Sequence, residues 1–185
     1  VNLFELPFIK CWPLDGDVAA VGRDVDPQQG GPGKGQGRYI TFGGVHTIHP
    51  DDAGKGEDEP RPSRNVGMYR AQLIDRNRTA MHWHIHHDGA RHWRAWKEIS
   101  QPMPLAIAFG GEPVLPYAAT APLPPGVSEL LMAGFLEGRG IPMVAAKTVP
   151  LRVPANSEIV IEGFVRTDAG ACGWDAAGSE PLGPG

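Results

Sequence analysis

Cysteine is scarce in this chain: Cys11 and Cys172 are the only two in 185 residues. That is too few for a disulfide framework, and it points to a reducing compartment, the cytoplasm, with one disulfide left open. Basic charge is not in excess. Seventeen Lys and Arg face twenty-one Asp and Glu, for a formal net charge of −4. No basic face is implied, so nucleic acid is not an expected partner. Long apolar runs are also missing. No window approaches the roughly 18 apolar residues of a membrane span, and no signal-peptide pattern opens the chain. The sequence begins at Val1 without methionine, as in a processed or partial chain.

What is present is glycine and proline, 25 and 19 residues, with an apolar fraction of 41%. This composition favours short strands and turns over long helices, in a globular chain long enough for one core. Leu3 to Trp12 reads as a strand-like entry. Residues 17–36, rich in Gly, Gln and Asp, read as an inserted surface loop. Arg38–Phe42 is a short strand, and His49 to Asn65 a polar loop. Met68–Asp75 and Thr79–His86 read as neighbouring strands joined by a turn at Asp75–Arg78. Asp88 is a plausible N-cap for a helix over Gly89–Ile99, with Ala90, Trp93, Trp96 and Lys97 on one side and Pro102 and Pro104 beyond it. Leu105–Phe109 reads as a buried strand. Val127–Leu136 reads as a second helix, closed by Gly138. Met143–Val153 and Glu158–Val165 are two more strands. The pattern predicts a mixed α+β chain, mainly β: an antiparallel barrel or sandwich with two or three peripheral helices.

Five of the seven histidines lie between residues 82 and 92: His82, His84, His86, His87 and His92. On a strand, His82, His84 and His86 would share one face, a common first step toward a metal site. The run His84-Ile85-His86-His87-Asp88-Gly89 nearly spells the zinc signature H-x-H-x-D-H of metallo-β-lactamase-like hydrolases. Gly89 stands where the last histidine belongs. A zinc hydrolase using His84, His86 and Asp88 is therefore a minor alternative. Solvated or stacked strand histidines are the plain one.

Asn65-Val66-Gly67-Met68-Tyr69-Arg70, followed by Gln72, Trp83, His86 and Gly89, resembles the UbiD family of reversible decarboxylases. The likeness extends through most of the chain. It includes Pro13-Leu14-Asp15-Gly16, Gly37–Thr41, Ile107–Pro113, Ser128–Gly134 and Val153–Gly163. The resemblance implies the family's central domain, a split β-barrel similar to flavin reductases, over residues 1–185. The 17–36 stretch interrupts it as an insertion. Both flanks of the family's longer chains, including an acidic catalytic motif, are expected to be missing.

The family binds prenylated FMN (prFMN), whose phosphate is held through a divalent ion, usually Mn2+, often with K+ nearby. The matching metal ligands are Asn65, His86 and Glu129. An amide oxygen, an imidazole and a carboxylate suit an ion that also takes a phosphate oxygen. Each has a plain reading too: a turn residue, a strand histidine, and a carboxylate in the first turn of a helix. By the same resemblance Met68, Tyr69, Arg70, His82, Trp83, His84, His87 and Asp88 contact the cofactor. The resemblance also implies that Arg70 is the catalytic residue, facing the substrate carboxylate, which a guanidinium can meet through two parallel hydrogen bonds. The implied reaction is decarboxylation, sometimes reversed, of an aromatic or α,β-unsaturated acid. A non-catalytic flavin-binding subunit is the main alternative, and a homo-oligomer or a complementary chain is left open.

Overall fold

The computed structural model describes Leu3 and residues 39–56, 59–73, 77–124 and 126–168. The expected entry strand apart from Leu3, the expected 17–36 insertion, both cysteines, Asp75 and Arg76 of the expected turn, and the C-terminal tail lie outside the described residues. Nine strands and four helices are found among those described. The strands are β1 (Tyr39–Ile40), β2 (Gly44–Thr47), β3 (Asn65–Met68), β4 (Ala71–Leu73), β5 (Thr79–Met81), β6 (Met103–Phe109), β7 (Met143–Ala145), β8 (Arg152–Pro154) and β9 (Ile159–Val165). The helices are α1 (Pro50–Ala53), α2 (Asp88–Glu98), α3 (Val114–Ala118) and α4 (Glu129–Glu137). The expectation of a mainly β chain with few helices and antiparallel pairing holds. No closed barrel forms among the described residues; the strands make three separate sheets.

The described residues fall into two compact units. The first holds the three-stranded sheet β1-β4-β5, with Gln72 of β4 paired to Tyr39 on one side and Ala80 on the other. The second holds the four-stranded sheet β3-β2-β6-β9, the hairpin β7-β8 and the four helices.

In the second unit β6 is central because its sequence allows nothing else. Met103 to Ala108 are all buried, so the strand is covered on both faces. Pro104 is tolerated there because β2 pairs with β6 only over Ala106–Ala108, so no neighbour on that side needs its missing N–H. On one side Ala106 packs with Ile48, Val149, Leu151 and Val153. Gly110 and Gly111 turn the chain out of β6 at φ 75° and 87°.

Helix α4 opens on Ser128, whose hydroxyl accepts the Leu130 N–H at 3.3 Å, and closes on Gly138 at φ 71°, where the sequence places its end. Helix α2 departs from expectation in its cap and its buried face. His87, not Asp88, is the N-cap. The residue at the centre of the buried face is His92, which has no exposed surface. Trp93 and Trp96 are half-buried, each tied by its indole N–H to a carbonyl, that of Arg166 at 3.0 Å and of Ile48 at 2.8 Å. Lys97 is exposed, with its ammonium 5.4 Å from the centre of the Trp93 ring.

Two further boundaries moved. The expected long strand over 143–153 is two short strands, β7 and β8, paired with each other. The Thr79 strand ends at Met81, so His82, His84 and His86 do not alternate along a strand.

Candidate functional site

The site begins with strand pairing. β3 lies at the edge of its sheet, and Asn65 is paired with Thr47 of β2. An edge strand has backbone N–H groups facing away from its only neighbour, and a buried one needs an acceptor. The Val66 N–H finds it in the Glu129 carboxylate, at 2.8 Å. Glu129 is the first residue of α4, where a carboxylate also faces the positive end of the helix. The Glu129 carboxylate, 64 positions from Asn65 in the chain, is thereby held at the backbone of the residue next to it, and Asn65 and Glu129 are both buried.

Burial pushes the Glu129 carboxyl up from its ordinary value. The Val66 and Glu129 backbone N–H groups pull it down, the Asp88 charge adds to the rise, and Arg91 opposes it. A buried carboxylate that also feels a second carboxylate is short of positive charge, which a bound cation would supply.

Behind Asn65 runs a chain of buried polar groups. The Asn65 Nδ2–H donates to Thr47 Oγ1 at 2.9 Å, and Thr47 Oγ1 is 2.9 Å from His92 Nδ1. The other ring nitrogen of His92 is buried with no hydrogen-bond partner among the described residues. Burial first, then the Arg91 charge, lowers the His92 pKa to about 3. Burial likewise lowers His46, the neighbour of Thr47 on β2, to about 4. Both imidazoles are neutral near pH 7.

A small crevice lies beside this chain, lined by Asn65, Thr47, His46, Arg61 and Arg64 among others. Burial and the Arg61 and Arg152 charges lower the Arg64 pKa, so positive charge is concentrated there in a chain that is acidic as a whole. Neither Thr47, His92 nor these arginines was singled out as a site residue from sequence. His92 lies inside the histidine cluster, but nothing in its position along the chain marks it as the one that is buried.

His86 is exposed, in the turn before α2, and His87 and Asp88 follow it at the start of the helix. Met68, half-buried, ends β3. Asp88 is engaged with Arg91 at 2.8 Å. Among the described residues no three His, Cys, Asp or Glu side chains stand close enough to hold a metal ion. That weighs against zinc at His84, His86 and Asp88. It does not bear on Asn65, His86 and Glu129, a set with only two such side chains.

The remaining predicted residues belong to the first unit. Tyr69 is buried and meets Trp83 edge-on, with ring centres 6.1 Å apart. The Trp83 indole N–H is buried without an acceptor among the described residues. Arg70 is exposed, its guanidinium 5.6 Å from the centre of the Tyr39 ring, and its carbonyl accepts the His82 N–H at 3.1 Å. His82 and His84 are exposed.

Comparison with known proteins adds three findings. Residues 1–173 match the family model of the UbiD 3-octaprenyl-4-hydroxybenzoate carboxy-lyase Rift-related domain. Uncharacterised proteins of Aquifex aeolicus and Archaeoglobus fulgidus are 44% and 40% identical, over 89% and 90% of this chain. This chain spans only 28% and 29% of their lengths. Among solved structures, the vanillic acid decarboxylase of Sedimentibacter hydroxybenzoicus in closed form matches with TM-score 0.61 and 30% identity, covering 68% of this chain and 26% of that one. An evolved dimeric form of the UbiD-class enzyme HmfF from Pelotomaculum thermopropionicum, in complex with prFMN, matches with TM-score 0.61 and 28% identity, covering 70% and 28%.

Proposed function

Because this chain belongs to the UbiD carboxy-lyase family, we propose that it is the cofactor-binding part of a decarboxylase that acts on an aromatic or α,β-unsaturated carboxylic acid with prFMN and a divalent metal ion, Mn2+ foremost. The observation that carries this reading is the buried Asn65–Val66–Glu129 arrangement. It holds a buried carboxylate short of positive charge against the backbone of the residue next to buried Asn65, at a strand edge. That pair fits a hard cation bound through oxygen. Asn65 and Glu129 would hold the ion, with His86 as third ligand. Arg61 and Arg64, which line the same crevice as Asn65, put positive charge on the side of the unit where an anionic phosphate would approach, although the Arg61 guanidinium also donates to the Lys55 and Gly56 carbonyls. K+ is a candidate for a second cation.

When bound, prFMN supplies the electron sink for loss of carbon dioxide. The protein's part is to bind and orient. Arg70 meets the substrate carboxylate through two parallel hydrogen bonds. Met68, Tyr69, His82, Trp83, His84, His87 and Asp88 contact the cofactor, and the Trp83 N–H, which has no acceptor among the described residues, is a donor for a ligand acceptor. The split β-barrel, the inserted 17–36 loop and a cytoplasmic setting are parts of the same proposal. Among the described residues no helix is long and apolar enough to cross a membrane.

The test is reconstitution with prFMN and Mn2+, followed by desalting. We expect flavin absorbance and stoichiometric manganese in the wild type, both lost in Glu129→Gln and Asn65→Ala. A folded wild-type protein that retains neither would refute the reading. Assays on cinnamate-like and hydroxybenzoate-like acids then separate a decarboxylase from a flavin carrier. Carbon dioxide release that is abolished by Arg70→Gln supports the first.

A further inference from the structure

The buried chain from Asn65 to His92 has a direction, and the direction decides which end of the Asn65 amide is presented at the site. The Thr47 hydroxyl has one proton and two lone pairs. A neutral imidazole has one N–H and one bare nitrogen. Two arrangements satisfy Thr47. In one, the Asn65 NH2 donates to Thr47 Oγ1, the Thr47 O–H donates to His92 Nδ1, and His92 carries its proton on Nε2. In the other, every bond reverses. His92 Nδ1–H donates to Thr47, Thr47 donates to the Asn65 oxygen, and the amide turns its NH2 outward.

The first arrangement is the one that fits the geometry: Nδ2 of Asn65 is placed against Thr47 Oγ1 at 2.9 Å, Oγ1 is 2.9 Å from His92 Nδ1, and among the described residues the Thr47 hydroxyl has no third side-chain partner. The orphaned, buried Nε2 of His92 is then an N–H. An N–H in that position accepts no proton and leaves Nδ1 as the acceptor. The amide oxygen is thereby turned away from Thr47, the orientation in which it can ligate a cation; an NH2 there could not.

We propose that Thr47 and His92 are positioning residues which, through the Nε2–H tautomer of His92, lock the Asn65 amide with its oxygen toward the cation. This rests on the metal reading given above. Loss of a polar group behind a metal ligand commonly lowers affinity 10- to 100-fold, and the same range is expected here.

The experiment measures Mn2+ affinity by calorimetry for wild type, Thr47→Val and Thr47→Ser, with circular dichroism to establish folding. The His92 ring nitrogens are assigned in parallel by 15N NMR on the metal-free and Mg2+-loaded wild type. We expect Thr47→Val to bind about 10-fold or more weakly, Thr47→Ser to bind like wild type, and His92 to carry its proton on Nε2. A merely structural Thr47 would change stability and leave affinity alone. Equal affinity in a folded Thr47→Val, or a proton on His92 Nδ1 in both states, overturns the inference and leaves the metal reading standing. A wild type that binds no divalent ion overturns both. Should Thr47→Val not fold, the tautomer and Thr47→Ser decide.

Discussion

Acid should destabilise this protein well above the range in which carboxylates titrate, because two histidines are buried neutral in one sheet and the helix packed near it. His46 and His92 have folded pKa values of about 4 and about 3, against an ordinary 6.5. Both are lowered, so each contributes stability that is fully present above pH 6.5. It is lost as pH falls toward the folded values, since the unfolded chain takes up the protons first. Each lost proton linkage is worth about 1.4 kcal/mol per pH unit. Between pH 6.5 and pH 5 that amounts to about 2 kcal/mol per histidine, roughly 4 kcal/mol together, against a total stability of about 5–15 kcal/mol. For a chain of this size the matching fall in Tm is on the order of 10 °C.

The other shifted groups do not imitate this. Asp52, lowered to about 2, contributes stability that is intact above its unfolded pKa of 3.8. Glu162 is also lowered and acts only below its ordinary value of 4.5. Glu129 is raised, so its burial penalty is relieved as pH falls, and it partly offsets the histidines. Urea unfolding of the wild type and of His46→Leu at half-unit steps from pH 8 to pH 5 tests this. We expect the variant to lose about half of the slope, and Glu129→Gln to steepen it. A wild-type stability that is flat across this range, or an unchanged slope in His46→Leu, would refute the argument.

Two stability effects should follow from packing and capping. Gly43→Ala would place a Cβ 2.4 Å from Ile107 Cγ2 and 3.2 Å from the Phe109 ring. Overpacking of this kind costs about 1–3 kcal/mol, read as a lower urea midpoint with an unchanged slope. Ser128→Ala removes the hydroxyl that accepts the Leu130 N–H and should cost about 1 kcal/mol, largely restored by Ser128→Thr; a neutral Ser128→Ala would mean that the cap contributes nothing.

The sequence was most legible where one local rule acts alone. The unbroken apolar run of β6 and the Ser128 and Gly138 ends of α4 need only burial, capping and a left-handed glycine. It was least legible where partners lie far apart. Residues 143–153 carry apolar positions suited to one strand, but Arg152 pairs back on Ala145, and only that pairing divides the run. The histidine alternation was a period-2 pattern on residues that leave the strand after Met81. In the site, Asn65 and Glu129 were found through family likeness. That a Val66 N–H links them, and that Thr47 and His92 stand behind, depends on β2 and β3 lying side by side. No spacing along the chain encodes that.

The pairing of β6 with β9 sets an order of events during synthesis. Its register runs from Phe109–Ile159 to Met103–Val165, whereas β2 and β3, on the other side of β6, come earlier in the chain. Until Val165 has left the ribosome, the most apolar strand of the unit has an open edge. Long-range contacts form slowly, and unpaired apolar edges recruit other chains. Fragments that end short of β9 should therefore aggregate as they emerge, while fragments that include it have the means to close their own sheet.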